Sequence, residues 1–387
     1  MYRRSAAIVG AAHSQLGEVP GSTAIGLMTD AAVAAVADAG LKPSDIDGII
    51  VRGPDDEYAF QQQLGERLGL NAAFSTSLDN GGASQTLAVV LAALAIEAGL
   101  ATTVLCGYAR NSWTRTRRSG SRRARMNQST HNRTREWRDS FGYFGEPATH
   151  ALGAQRHMAM YGTTKEHLGH VAVSVREHAT RNPHAQMQTP LTMDEYMDAR
   201  LVTSPFGVFD CSLRTDGAGA VIVTDVARAK DLPHVPVIVR GFGSQNNLQG
   251  WTVDDHMVRT AARASGERAY RIADVSPADI DTAQLYDCFT YMVLAQIEDY
   301  GFCAKGEGGE FIASGALRLD GAIPTNTSGG QLSEGHVEGM LQVVEAVRQL
   351  RHEYPVERQV PDARLALVSG HGGNTVCHTS LILESGR

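Results

Sequence analysis

Pro43-Ser44-Asp45-Ile46-Asp47-Gly48-Ile49-Ile50-Val51 and Pro277-Ala278-Asp279-Ile280-Asp281-Thr282-Ala283-Gln284-Leu285-Tyr286 are two copies of one pattern. Each is a proline-led acidic turn that runs into an apolar strand, at 48–51 and at 282–286. Upstream of the first copy, residues 25–40 carry apolar side chains at helical spacing and stop at a glycine, and 6–10 is a short apolar run that also closes on glycine. Upstream of the second copy, 260–273 is helix-like and 237–241 is the matching apolar run. Further on, a long apolar helix at 86–99 and a strand at 102–107 are answered by a helix at 338–350 and a strand at 364–369. The same order in both halves marks an internal duplication. Alternating strands and helices predict mostly parallel sheets covered by helices, and two copies predict a pseudo-two-fold with helices sandwiched between two sheets.

Composition limits what such a chain can do. Its 387 residues are 43% hydrophobic, enough for a real core, and the formal charge of −7 lacks the basic field of a nucleic-acid binder. The five cysteines (Cys106, Cys211, Cys288, Cys303, Cys377) are scattered and form no CxxC pair. They read as thiols of a reducing compartment, with neither a disulfide framework nor a metal site. The opening MYRRSAAIVGAAHSQLG has too short an apolar run for a signal peptide, and no stretch approaches eighteen apolar residues. A cytoplasmic protein without a membrane span is expected.

One stretch breaks the pattern. Between about 111 and 204 the chain reads as an Arg-rich loop insertion, introduced by Arg110, Arg115, Arg117, Arg118, Arg122, Arg123, Arg125, Arg133, Arg135 and Arg138. Such a run is either a solvated surface or a set of partners for the phosphates of a nucleotide tail, which arginine binds bidentately. With this insertion the N-terminal half covers 1–235 and the C-terminal half 236–387.

Five segments, in this order, resemble the thiolases, and in particular the branch related to the sterol-carrier-protein thiolases. They are DNGGASQTLAVVLAALAIEAG (79–99), SPFGVFDCSLRTDGAGAVIV (204–223), LYDCFTYMVLAQIEDYGFCAKGEGG (285–309), PTNTSGGQLSEGHVEG (324–339) and VSGHGGNTVCHTSL (368–381). The resemblance implies an α/β thiolase fold: duplicated βαβαβαββ halves in an α-β-α-β-α layered sandwich. It also puts Gly82 where a thiolase has its nucleophilic cysteine, and Gly370 where the second, acid/base cysteine belongs. Ser84, two residues further on, is either a small helix-start residue or a poor substitute nucleophile, because a serine needs an adjacent base. Cys288 and Cys377 read as packing residues.

The rest of the family's pocket is kept in part. His336 matches the histidine that activates the thiol in thiolases, and Tyr286 replaces the His or Asn that helps bind the thioester oxygen. Either could be structural; alternatively they are an acid and a base. Glycine lets a backbone N–H approach a developing oxyanion. On that ground Gly82, Asn326, Gly329, Gly330, Gly372 and Gly373 form the expected oxyanion and substrate-binding set.

A thioester pocket without a thiol can still make or quench an enolate. The sequence is similar to the actinobacterial steroid side-chain aldolases, which cleave a β-hydroxyacyl-CoA by retro-aldol chemistry. That resemblance implies an acyl-CoA lyase with no covalently bound cofactor and a CoA thioester as substrate. It further implies a homodimer core and a small OB-fold partner of the zinc-ribbon type. In that family two tyrosines move the protons. The first matches Tyr286, while the second falls on His336, which leaves open which of the two is the base. A thiolase-like acyltransferase subunit and a non-catalytic acyl-CoA or lipid carrier are the competing readings.

Overall fold

The computed structural model describes residues 2–118, 145–246, 258–373 and 376–387. The N-terminal half runs β1 (Ala6–His13), α1 (Ala24–Asp38), β2 (Gly48–Arg52), α2 (Phe60–Leu68), β3 (Phe74–Thr76), α3 (Ser84–Glu97) and β4 (Thr103–Asn111). Next come α4 (Ser112–Arg118), α5 (Gly145–Tyr161), α6 (Lys165–Thr180), α7 (Met193–Met197) and the small pair β5 (Leu201–Thr203) and β6 (Phe206–Gly207), before β7 (Asp216–Asp225). After α8 (Val226–Ala229), the C-terminal half runs β8 (Val237–Asn246), α9 (Ala262–Ala273), β9 (Thr282–Gln284), α10 (Thr290–Asp299), α11 (Gly308–Ala313), α12 (Met340–Arg351), β10 (Leu365–Gly372) and β11 (Cys377–Ser385).

Nine strands hydrogen-bond in the order β3-β2-β4-β7-β1-β8-β11-β10-β9. The order is the duplication made visible: β1, β2, β4 and β7 correspond to β8, β9, β10 and β11, and the copies meet where β1 pairs with β8. The expectation of mostly parallel sheets is corrected. Among the described residues only β2–β3, β2–β4 and β9–β10 are parallel, while β4–β7, β1–β7, β1–β8, β8–β11 and β10–β11 are antiparallel. The reason is topological. The last strand of each half, β7 or β11, inserts antiparallel between the half's first strand and its parallel set.

The core follows from which faces are apolar. Along β7, Val221 and Val223 join a cluster with Val89, Ala93, Val343 and Val347 of α3 and α12, whereas Ala220 and Ile222 face the cluster built on α1. Both faces of the strand are therefore buried, as in a sheet covered on two sides. α3 reads SQTLAVVLAALAIE, apolar almost all round, because it sits with α12 in the central layer between the two half-sheets. α9 covers the outer face of β8 and β11, as α1 covers β1 and β7. No helix among the described residues is long and apolar enough to cross a membrane.

The stretch expected as an Arg-rich loop is largely helical where described. Ala151, Ala154, Leu168, Val171 and Val175 of α5 and α6 are buried in one cluster with Leu285, Phe289 and Met292, so these helices pack on the C-terminal half. The apolar residues at helical spacing are simply outnumbered in composition by charged and polar neighbours. Arg110 is ion-paired with Glu338 and Arg115 with Asp56 rather than free in solvent. The side chains of Arg117 and Arg118, and residues Arg122, Arg123, Arg125, Arg133, Arg135 and Arg138, lie outside the described part.

The glycines that close the first run of each half have the same task. A β-carbon on Gly10 would lie 2.2 Å from the Ala35 carbonyl oxygen of α1, and one on Gly241 would lie 2.7 Å from the Ala269 carbonyl oxygen of α9. Helix and strand touch backbone to backbone at both places. Gly10→Ala and Gly241→Ala are each expected to destabilise the fold by about 1–3 kcal/mol through overpacking. Urea unfolding measures this, and unchanged midpoints would mean that the helices do not approach so closely.

Candidate active site

At position 82 an added β-carbon would fall 2.1 Å from Cζ and 2.2 Å from the hydroxyl oxygen of Tyr286. The phenol ring therefore stands in the space that a side chain at the start of α3 would need. At position 370 the β-carbon would fall 2.2 Å from Thr86 Oγ1 and 3.0 Å from the Gly82 carbonyl oxygen. The two positions where the resemblance sets a thiolase's cysteines are glycines with no room for a side chain.

The backbone of Tyr286 is held on both sides. Its N–H is donated to Ser369 Oγ at 2.8 Å, and its carbonyl accepts from Gln296 Nε2 at 2.9 Å. Ser369 Oγ in turn donates to Gln296 Oε1 at 2.5 Å. The next residue, Asp287, is fully buried and accepts from the backbone N–H groups of Gln331 and Leu332 and from Gln342 Nε2. This closed network fixes where the ring points.

The hydroxyl of Tyr286 donates to Glu338 Oε2 at 3.0 Å and lies 3.4 Å from His336 Nε2. His336 is anchored by its own backbone N–H to Thr215 Oγ1 at 2.8 Å, and its Nδ1 meets Ser212 Oγ at 3.0 Å. Glu338 takes an ion pair from Arg110 at 2.9 Å, and Arg110 Nε is donated to Ser112 Oγ at 2.7 Å. Glu338 has φ +47, which a residue with a side chain seldom adopts, and Gly339 follows at φ +83. That bend delivers the carboxylate to the phenol instead of into the first turn of α12. The side chains of His336 and Glu338 remain 17% and 16% exposed, so the group is reachable from solvent.

Burial sets the protonation states. Desolvation, with the Arg110 cation, lowers the His336 pKa to about 4, so at neutral pH the imidazole is uncharged. Desolvation and the neighbouring Glu338 charge push the Tyr286 phenol well above its usual 10. For Glu338 burial works against the charged form, but Arg110, His336, Arg52 and the Tyr286 hydrogen bond outweigh it and hold the carboxyl below the ordinary value. The site at rest is thus a protonated phenol, a neutral imidazole and a carboxylate balanced by guanidinium.

The remaining candidates divide. Gly372 belongs to the same constriction, where its β-carbon would lie 2.0 Å from the Asn80 carbonyl oxygen, and Gly373 N lies 3.3 Å from the β-carbon position of Gly81. Gly329, Gly330 and Asn326 are placed elsewhere. The Gly329 N–H is donated to the Asn326 carbonyl, Gly330 N–H faces Ser328 Oγ, and a β-carbon on Gly330 would meet Asp287 Oδ2 at 2.1 Å. Asn326 Oδ1 accepts from Leu285 N–H at 2.7 Å. These three residues support the segment that carries Tyr286, and the Asn326 side-chain oxygen and the Gly329 N–H are spent there. Ser84 Oγ is likewise spent, donating to the Gly81 carbonyl at 2.7 Å and accepting from Asn80 N–H at 2.8 Å.

Sequence reasoning missed Arg110 and Glu338. Arg110 is hidden at the head of an arginine run, and Glu338 looks like the first residue of a helix. The available signal was spacing: Glu338 follows His336 by two residues, immediately before a glycine.

A fold and a site of this kind define a thiolase-type α/β protein with a phenol standing over the start of its central helix α3. A profile of the thiolase N-terminal domain matches residues 6–204, and one of the thiolase C-terminal domain-like family matches 243–385. The chain belongs to the thiolase family. It is 35% identical to a steroid side-chain-cleaving aldolase of Thermomonospora curvata, over 90% of each chain. It is 34% identical to a 17-hydroxy-3-oxo-4-pregnene-20-carboxyl-CoA lyase of Mycobacterium tuberculosis, over 91% of this chain and 92% of that one. Among solved structures the Ltp2-ChsH2(DUF35) aldolase superposes with a TM-score of 0.91 at 32% identity, covering 100% of this chain and 99% of that one.

Restoring the thiol should not restore a thiolase. Gly82→Cys places its β-carbon inside the phenol ring, so it is expected to lower Tm and retro-aldol turnover together. Gly82→Cys combined with Tyr286→Ala provides the missing room and is expected to recover Tm at least in part, with a thiol that iodoacetamide labels. A single Gly82→Cys variant as stable as the parent would place the ring elsewhere.

Proposed function

We propose that this chain is a retro-aldol lyase that cleaves a β-hydroxyacyl-CoA, with a steroid or similar side chain, into a ketone or aldehyde and a shorter acyl-CoA. The observation that carries the reading is the Tyr286 hydroxyl, standing in place of a thiolate and shared between Glu338 and His336. The two relatives and the solved structure named above, each an aldolase or a lyase, support it.

The chemistry needs one proton taken and one given. A base removes the β-hydroxyl proton, the Cα–Cβ bond breaks, and its electron pair becomes the thioester enolate. An acid then protonates the α-carbon. With its own proton on Nδ1, the neutral His336 offers a lone pair at Nε2 and is the base. Tyr286 is the acid. Because its phenolate is disfavoured, proton loss from Tyr286 is coupled to proton return from the His336 imidazolium 3.4 Å away. The proton taken at oxygen thus replaces the one given to carbon, and each group ends as it began. Glu338 orients the phenol, and Arg110 keeps Glu338 ionised.

The acyl-CoA would reach the pair from its exposed side, where His336 and Glu338 meet solvent. A cleft lined by Arg52, Pro54, Tyr58, Phe60 and Asp79 opens nearby. Arg52 also lies within the electrostatic reach of Glu338, which joins that cleft to the site. In this reading Gly82, Gly372 and Gly373, crowded together where no β-carbon fits, offer backbone N–H groups to the enolate oxygen. A small OB-fold partner of the zinc-ribbon type, acting on a homodimeric core in the cytoplasm, fits this reading; the Ltp2-ChsH2(DUF35) structure supports the presence of a partner.

The reaction is tested by supplying a β-hydroxyacyl-CoA with the partner present and assaying the released carbonyl compound. Tyr286→Phe and His336→Ala should each lower kcat by roughly 10²-fold or more. The rate should stay flat from high pH down to about 5 and fall only as His336 protonates near its lowered pKa of about 4, not at the ordinary value of about 6.5. Full activity in both variants, or a bend at the ordinary histidine pKa, would refute the assignment.

A further inference from the structure

Beside the phenol, three side chains from three distant segments converge. They are His150 of α5, Cys288 two residues after Tyr286, and His371 of β10. Their ligand atoms all lie within 4.8 Å of one another. The two imidazole Nε2 atoms are 3.3 Å apart, and Cys288 Sγ is 4.0 Å from His150 Nε2. No sequence spacing betrays the set, because the residues stand at 150, 288 and 371. The cluster is separate from the proton-transfer pair, although the His371 and Tyr286 ring centroids are 5.9 Å apart.

We propose that this cluster is a binding site for a thiophilic divalent cation, Zn²⁺ in the first instance. Two nitrogens bound to one tetrahedral zinc at about 2.0–2.1 Å lie about 3.3–3.4 Å apart, which is the separation found here. A zinc-bound sulfur and nitrogen lie about 3.6 Å apart, so the Cys288 side chain closes in by a few tenths of an ångström on His150. His150 is prepared for it. His150 Nδ1 faces the Glu146 carbonyl oxygen at 2.9 Å. A carbonyl only accepts, so the proton sits on Nδ1 and the lone pair on Nε2 points into the cluster. Facing that lone pair at 3.3 Å, His371 Nε2 carries its own proton in the empty site, so binding moves that proton to His371 Nδ1, where His378 Nδ1 accepts it at 3.4 Å. Orienting partners on the outer ring nitrogen are the usual accompaniment of a metal-bound histidine.

All three groups are buried, at 4%, 9% and 3% exposure for His150, Cys288 and His371, and burial keeps both imidazoles neutral, the form that ligates. Binding forms two Zn–N bonds and one Zn–S bond, breaks the S–H bond of Cys288 and releases that proton to solvent. A water molecule completes the tetrahedron. The ion ties α5, the segment carrying Tyr286 and the end of β10 together beside the phenol. The proposal holds or fails independently of the lyase reading.

The test uses the full chain, free of added histidine tags and of any partner. It is expressed with Zn²⁺, passed briefly through EDTA and desalted, and its metal content is measured by mass spectrometry. Roughly one zinc per chain is expected in the parent, and under about a fifth of that in Cys288→Ala and in His150→Ala. Zinc-edge X-ray absorption on the parent, which needs no variant to fold, should show one sulfur and two imidazole nitrogens. A parent that retains no zinc, variants that retain as much as the parent while keeping its near-UV circular dichroism, or a shell without sulfur would each overturn the site.

Discussion

Two groups cannot share one volume, and Tyr286 already occupies the volume that a side chain at position 82 would claim. The surrounding architecture is arranged around that exclusion. Gly370 packs against Thr86 and the Gly82 carbonyl, and a β-carbon on Gly339 would lie 3.1 Å from the phenol ring. The ring is fixed from behind by Ser369 and Gln296 on its backbone and by Asp287 beside it. A thiolase presents a thiol from the start of its central helix. This chain presents a hydroxyl to the same point from the opposite half.

Once the phenol is there, its surroundings decide what it can do. Burial alone would also neutralise Glu338, and then nothing would orient the hydroxyl. Arg110 prevents this, and the pair is interdependent: both charges are largely removed from water, so deleting one leaves the other poorly compensated. The same guanidinium helps keep His336 neutral. One arginine at the end of β4 thus supports both the positioning group and the base, across a chain separation of more than 220 residues.

Much of this was legible in the sequence. The paired PSDID and PADID turns located the duplication, and the structure places a 3₁₀ turn at each, Pro43–Asp45 and Pro277–Asp279. The glycines at 82 and 370, the tyrosine at 286 and the retained His336 could be read from the motifs. Strand direction could not, because the apolar pattern of β7 is the same whether its neighbours run parallel or antiparallel. The helices α5 and α6 were obscured by polar composition. The functions of Arg110, Glu338 and the Gly329–Gly330 pair were invisible because each depends on which N–H, carboxylate or guanidinium lies opposite in space. A glycine pair reads the same whether it frames an oxyanion or makes way for a buried aspartate.

The central claim is that carbon–carbon cleavage here proceeds by proton movement, with no bond between substrate and protein. Intact-protein mass spectrometry on samples acid-quenched within the first turnover measures this directly. The account requires the unmodified mass of the chain at every time point while the carbonyl product accumulates. An acyl adduct that forms and decays at the rate of turnover would contradict it.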